Sequence, residues 1–210
     1  MPQALSSFRQ HPPSLPQVHN VIVHRSAFGE LSDIGTASLI TVNPWAVVLS
    51  LRRTLVSLTL NLMAAVRATR AALPLMLAAG NGAIVNVVSV NAFLPDPAVM
   101  DYSAAKAALA NFSKSLSKEV GPQGIRVNTV SPGPVATDLW LGTDGVAATA
   151  ARASGVPPEE VADSAVRSTA TGRFTQPNEV ADLVLLLVSQ RAKNVTGTNI
   201  TIDGGLTTTL

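Results

Sequence analysis

Three side chains in the stretch Val85–Lys106 (VNVVSVNAFLPDPAVMDYSAAK) have the types and the spacing to move a proton. Tyr102 and Lys106 lie four residues apart, so on a helix they share one face, one turn apart. An ammonium beside a phenol favours the phenolate, and is expected to lower the phenol pKa from its ordinary value of about 10. Ser89 stands just past an apolar run, Ala83–Val88, that reads as a buried strand. A serine hydroxyl near such a phenol can hold a carbonyl or alcohol oxygen while the phenol passes it a proton. Each residue also has a plainer use. A half-buried tyrosine finds a routine partner, a helix lysine is solvated, and a serine at a strand end caps a turn. Tyr102 is the chain's single tyrosine, and it falls inside this stretch.

The surrounding elements must bring these groups together. Leu55–Ala79 reads as a helix with Asn61 inside it, kinked or bounded late by Pro74 and stopped by Gly80-Asn81-Gly82. A loop with Pro95 and Pro97 leads from Ser89 into a helix over Asp101–Val120, where Leu109, Phe112, Leu116 and Val120 form a stripe at helical spacing. Arg126–Ser131 reads as a strand broken by Pro132-Gly133-Pro134, with Arg126 and Asn128 in structural roles. Gly142–Arg173, rich in Ala, Ser and Asp, carries a helix after Pro157-Pro158. Asn178–Ser189 is a helix, Asn199–Ile202 a strand, and Asp203-Gly204-Gly205 a turn. Residues 1–20 read as an irregular arm, because Pro12, Pro13 and Pro16 oppose helix and ladder hydrogen bonding. Val21–His24 reads as a short strand opening a single domain over 21–210. Ala27–Leu60 fits neither period for long.

Ser89 followed by Tyr102-x-x-x-Lys106 resembles the active-site signature of the short-chain dehydrogenase/reductase family. The blocks LTLNLMAAVRATRAALP around Asn61, IRVNTVSPGPVATDL (125–139), GRFTQPNEVADLVLLLVS (172–189) and TGTNITIDGG (196–205) are similar to that family's blocks in the same order. The resemblance covers about Asn61–Gly205. It implies an α/β fold, a Rossmann-like doubly wound parallel sheet. It implies hydride transfer between a nicotinamide cofactor, NAD or NADP, and a carbonyl or secondary alcohol. Tyr102 becomes the general acid or base, Ser89 the group on the substrate oxygen, and Lys106 the group that tunes the phenol and meets the cofactor ribose. Asn61 supports a proton relay behind Lys106. Pro132, Gly133, Val135 and Thr137 resemble the loop over the nicotinamide, with the Val135 backbone on the carboxamide and the Thr137 hydroxyl on the cofactor. The zone 142–173 resembles the substrate lid. The two long helices imply a homodimer or homotetramer.

The family's glycine-rich turn, Gly-x-x-x-Gly-x-Gly, brings backbone amides against a pyrophosphate at a helix N-terminus. Ahead of Asn61 the only glycines are Gly29 and Gly35, and no such spacing exists. The first strand–helix–strand units, at roughly 30 residues each, are therefore expected to be missing or reduced. The residue that would choose between NAD and NADP is missing with them. This leaves a rival reading: a non-catalytic relative or fragment whose long helices serve as an oligomerisation module.

Composition narrows the remaining classes. At 210 residues, 47% hydrophobic and 13% charged, the chain suits one domain with a sizeable core and argues against disorder. The net charge of +2 and 4% aromatic content give no basic, aromatic-interleaved patch for nucleic acid. With no cysteine there is no disulfide or thiolate site, and His11, His19 and His24 lack a carboxylate set for a metal. The apolar run Leu55–Ala79 is interrupted by Asn61, Arg67, Arg70 and Pro74, so a buried or interface helix is expected instead of a membrane span. A cytoplasmic protein acting on a small molecule is the expectation.

Overall fold

The computed structural model describes residues 17–18, 21–23, 37–38 and 51–208, with side chains from residue 54 onward. The three histidines, Gly29 and Gly35 lie outside the described residues. In chain order the elements are β1 (Gln17–Val18), β2 (Val21–Val23), β3 (Ala37–Ser38) and α1 (Leu51–Leu58). A π-helical turn at Thr59–Met63 joins α1 to α2 (Ala64–Ala79). Then follow β4 (Gly82–Val87), α3 (Met100–Val120), β5 (Ile125–Pro132) and α4 (Asp138–Leu141). The chain continues with α5 (Val146–Ser154), α6 (Pro158–Arg167), α7 (Pro177–Val188) and β6 (Asn199–Ile202).

The main sheet has the order β2-β4-β5-β6. β4 pairs parallel with β5 from Gly82↔Ile125 to Val87↔Val130, and β5 pairs parallel with β6 from Thr129↔Asn199 to Pro132↔Ile202. These three strands carry helices on both faces, the doubly wound arrangement expected of Val- and Ile-rich runs without polar alternation. On one face Ile84, Ile125 and Val127 pack with Met76 of α2 and Val120 of α3, while Val88 packs with Ala65 and Leu109. On the other face Val85 and Val130 pack with Val184 and Leu187 of α7.

The first strand departs from the expected order. β2 runs antiparallel to β4, with Ile22 opposite Ile84, so the sheet is mixed at this edge. An apolar run of three residues specifies a strand but not its direction. The irregular arm also needs a correction at its end. Gln17–Val18 form an antiparallel ladder with Ala37–Ser38. Both residues follow the last proline of the arm, Pro16, and so keep the N–H groups that a ladder needs.

The run Thr54–Ala79 is long and apolar enough to cross a membrane, with a mean hydropathy of 1.4. Its Ser57, Asn61, Ala65, Thr69 and Met76 are nonetheless buried, at the spacing of one helix face. That face packs on β4 and α3. Pro74 sits within α2 without ending it, and Gly80 at φ 63° supplies the left-handed residue that closes the helix, its N–H on the Leu77 carbonyl.

Candidate active site

β4, β5 and β6 are parallel, so their C-terminal ends lie at one edge of the sheet, where ligands bind in folds of this architecture. Ser89 follows β4, Pro132 ends β5 and Asp203 follows β6. Ser89 is extended (φ −176°, ψ 156°) and caps a short 3₁₀ turn, Val90–Ala92. Its Oγ accepts the Asn91 N–H at 3.2 Å and donates to Asn91 Oδ1 at 3.2 Å. Asp96 caps the next turn by accepting from the Ala98 N–H at 2.8 Å, which delivers the chain into α3.

The first turns of α3 bring Tyr102 and Lys106 back over this strand end. Lys106 is fully buried and donates from Nζ to the Val87 carbonyl at 2.9 Å. Its Nζ lies over the Tyr102 ring, 5.6 Å from the centroid. Burial pushes the Lys106 pKa down to about 7, because the ammonium has left water for the protein interior. The Tyr102 phenol is raised above its ordinary value by burial, with the Ser89 hydroxyl opposing the rise. The expectation that Lys106 lowers the phenol pKa is therefore corrected for the side chains as they stand. A lysine that is itself reluctant to hold a proton is a weak source of positive field, and Ser89 is the group that favours the phenolate.

Asn61 is fully buried inside the π-helical turn, where the Ala64 N–H reaches back five residues to the Thr59 carbonyl. Such turns interrupt the regular ladder and are common at functional sites. The Asn61 amide donates to the Ser57 carbonyl at 3.1 Å, and its buried Oδ1 has no hydrogen-bond partner among the described residues. The turn packs on α3, the helix that carries Tyr102 and Lys106.

The loop after β5 holds the remaining candidates. The Gly133 N–H donates to the Ile202 carbonyl at 2.9 Å. A Cβ at Gly133 would sit 2.8 Å from Asp203 Cβ and 2.9 Å from its Cα, so only glycine lets the two strand ends meet. Asp203 anchors that junction, its carboxylate accepting from the Gly205 N–H and from the N–H and hydroxyl of Thr207. Burial pushes its pKa up, and these bonds outweigh burial to hold it below the usual range. Val135 forms a bridge with Thr175, and the Ala136 N–H donates to the Thr175 carbonyl, which ties the loop to the segment entering α7. Thr137 precedes α4 and its hydroxyl donates to the Val135 carbonyl at 3.4 Å. Arg126 and Asn128 are structural, as expected. Arg126 donates to the Leu187 carbonyl at 2.6 Å, and Asn128 to the Val195 carbonyl at 2.8 Å.

Two residues outside the expected set belong to the site's framework. Asn91 clasps Ser89 at two points, and an asparagine two residues after a strand-end serine is a turn signal that could have exposed it. Asn86 donates to Ser113 Oγ at 2.9 Å, linking β4 to α3 one residue before the carbonyl that takes Lys106. No sequence spacing announces that pair.

Residues 31–207 match a family model described as enoyl-(acyl carrier protein) reductase, which begins upstream of Asn61. The chain is 35% identical over 149 residues to 3-oxoacyl-(acyl-carrier-protein) reductase of Thermotoga maritima, covering 71% of this chain and 55% of that protein. It is 39% identical over 146 residues to carbonyl reductase family member 4 of Danio rerio, covering 70% and 53%. The chain thus spans about half the length of the curated relatives it matches. Among solved structures it resembles L-sorbose reductase of Gluconobacter frateurii, complexed with NADPH and L-sorbose. That match has a TM-score of 0.73 and 32% identity, and covers 82% of this chain and 64% of the other.

Proposed function

Because this chain belongs to the short-chain dehydrogenase/reductase family, we propose that it is an oxidoreductase that uses NAD or NADP to interconvert a small-molecule carbonyl and a secondary alcohol. The observation that carries the reading is that Tyr102 and Lys106 meet over the C-terminal end of β4, with the Lys106 ammonium on the Val87 carbonyl two residues before Ser89. The relatives support it as reductases by name, one of them solved with NADPH. Bound nicotinamide supplies or accepts the hydride. The chain's own groups handle the oxygen and its proton. Ser89 orients the substrate oxygen, Tyr102 gives or takes the proton, and Asn61 supports its relay.

The residues present fit the nicotinamide end of such a cofactor. Lys106 has three N–H donors and places one on the Val87 carbonyl, and the others suit ribose hydroxyls. Pro132, Gly133, Val135 and Thr137 form the loop proposed to meet the nicotinamide. The adenosine end has no glycine-rich spacing to receive it in the sequence. That observation favours a second reading, a non-catalytic relative acting as an oligomerisation module.

The same proposal includes a single domain over 21–210, a cytoplasmic location and a homodimer or homotetramer. Leu55, Val56, Met63, Leu75 and Leu77, exposed along the helical run 51–79, support association, which light scattering on the purified chain measures. The activity is tested by titrating the purified protein with NADH and NADPH, following nicotinamide fluorescence, with Lys106→Ala as control. Saturable binding that weakens in the folded variant is the expected result and names the preferred cofactor. A folded protein that binds neither at millimolar nucleotide overturns the enzyme reading for this chain.

A further inference from the structure

We propose that Asn91 is a positioning residue for Ser89, its side-chain oxygen holding the Ser89 hydroxyl proton and so deciding when that proton is offered to Tyr102 and the substrate oxygen. This rests on the reading of Ser89 and Tyr102 as the reacting pair. Nothing in the Ser-Tyr-Lys spacing calls for Asn91. The geometry does.

A serine hydroxyl has one proton and two lone pairs. The Asn91 N–H occupies one lone pair of Ser89 Oγ, and Asn91 Oδ1 takes the proton, both at 3.2 Å. One lone pair remains. In that state Ser89 can only accept, so the partner it suits is a phenol that still carries its proton. To donate to a phenolate or to a substrate oxygen, Ser89 must first withdraw its proton from Asn91. The hydroxyl therefore has two settings, and the energy of the Asn91 bond sets the balance between them. The Asn91 side chain is partly exposed at the strand end, while Ser89 is buried, so the clasp sits where substrate would arrive.

The 3₁₀ turn that Ser89 caps packs on α3, the helix that carries Tyr102. Turned toward the phenol, the Ser89 hydroxyl opposes its burial-raised pKa, and turned to Asn91 it does not. Lys106 lies on the same helix, 5.6 Å from the ring centroid. Asp101 precedes Tyr102 in the first turn of α3. Asp96, on the loop that packs against α3, places its carboxylate on the Ala98 N–H. Arg126 of β5 turns its guanidinium to the Leu187 and Ser189 carbonyls. The turns Val90–Ala92 and Thr59–Met63 carry no titratable side chain.

Tyr102 is the chain's single tyrosine, so tyrosinate absorbance reports its ionisation directly. The experiment is a pH-jump titration in stopped flow, read before any unfolding, with circular dichroism confirming the fold at the start. Asn91→Ala and the near-isosteric Asn91→Leu both remove the acceptor and keep the backbone N–H. Each is expected to free the Ser89 proton for the phenolate and to lower the Tyr102 midpoint by about half a unit to one unit. In a Ser89→Ala background the same Asn91 changes are expected to move nothing. Unchanged midpoints in the two single variants, or equal shifts with and without Ser89, overturn the proposal. The titration needs no nucleotide. Failure to bind NADH or NADPH would sink the enzyme reading and leave this result standing, whereas an unmoved midpoint in a nucleotide-binding protein would sink the role of Asn91 alone.

Discussion

Replacing Lys106 by methionine should change how the stability of this protein depends on pH. The Lys106 pKa falls from its ordinary value of 10.5 to about 7 in the folded chain, because the ammonium is fully buried. Between those two values the unfolded chain holds a proton that the folded chain has released, so stability rises with pH across that window. The contribution is fully present above about pH 10.5 and is lost as pH falls through about 7. Below that, the folded chain carries the whole cost of a buried ammonium. The depression corresponds to roughly 5 kcal/mol between the two limits, with a slope approaching 1.4 kcal/mol per pH unit in mid-window. Methionine matches the length of the lysine stem and carries no charge. Urea unfolding of wild type and Lys106→Met from pH 6.5 to 9.5 measures the effect. The titrations of other groups cancel in the difference, and the raised phenol of Tyr102 ionises above this range. Wild type is expected to gain on the variant by several kcal/mol as pH rises, and the variant to be the more stable protein at the acid end. A difference that stays flat within the error of extrapolation would refute the buried, uncompensated lysine.

Three further outcomes follow from packing and charge. Leu109→Ala, at a fully buried position between Ala65 and Val88, should cost about 2–5 kcal/mol in urea unfolding. Gly133→Ala should drive a Cβ against the Asp203 backbone and cost about 1–3 kcal/mol while displacing the loop after β5. Nucleotide titration and denaturation would report the two effects separately. Arg173 grips Glu179 through two bonds of 2.7 and 2.8 Å, and Glu179 also accepts from the Gln176 N–H. These bonds hold its carboxyl down at about 2, against an ordinary 4.5, so the capped start of α7 should survive to acid pH. Carboxyl NMR titration of Glu179 in wild type and Arg173→Gln should show the midpoint return toward 4.5 in the variant.

The readable parts of the sequence were those where one period dominates. The run 83–88 emerges as Gly82–Val87, and the helix read from Asp101 begins at Met100, because uninterrupted burial and a Leu109–Leu116–Val120 stripe leave little choice. β6 appears at the stated residues. α5 was hidden for the opposite reason. Its sequence VAATAARAS has no large apolar residue to mark a face, so periodicity is silent although alanine favours helix and Gly145 and Gly155 bracket the segment. The antiparallel direction of β2 was equally hidden, since strand direction is set by pairing partners and not by composition.

The chemistry of the site follows the same division between local spacing and contacts across elements. Tyr102 and Lys106 are legible because one turn of helix fixes their relation. What fixes that helix against the strand is not local. Val87 accepts Lys106 through its carbonyl, and Asn86, the preceding residue, reaches Ser113, seven residues further along α3. Seven helical residues span about 10.5 Å, whereas adjacent strand residues lie about 3.3 Å apart, so only a long side chain can make the first link while a short one makes the second. Lysine is thus required by reach as well as by charge. Ser113 in turn donates to the Leu109 carbonyl at 2.7 Å, which leaves Asn86 as the donor to its oxygen. A change at Ser113 should therefore loosen α3 against β4 and disturb Tyr102 without touching it. That pair lies 11 residues from Tyr102 in sequence on one side and 16 on the other, beyond the reach of any local spacing.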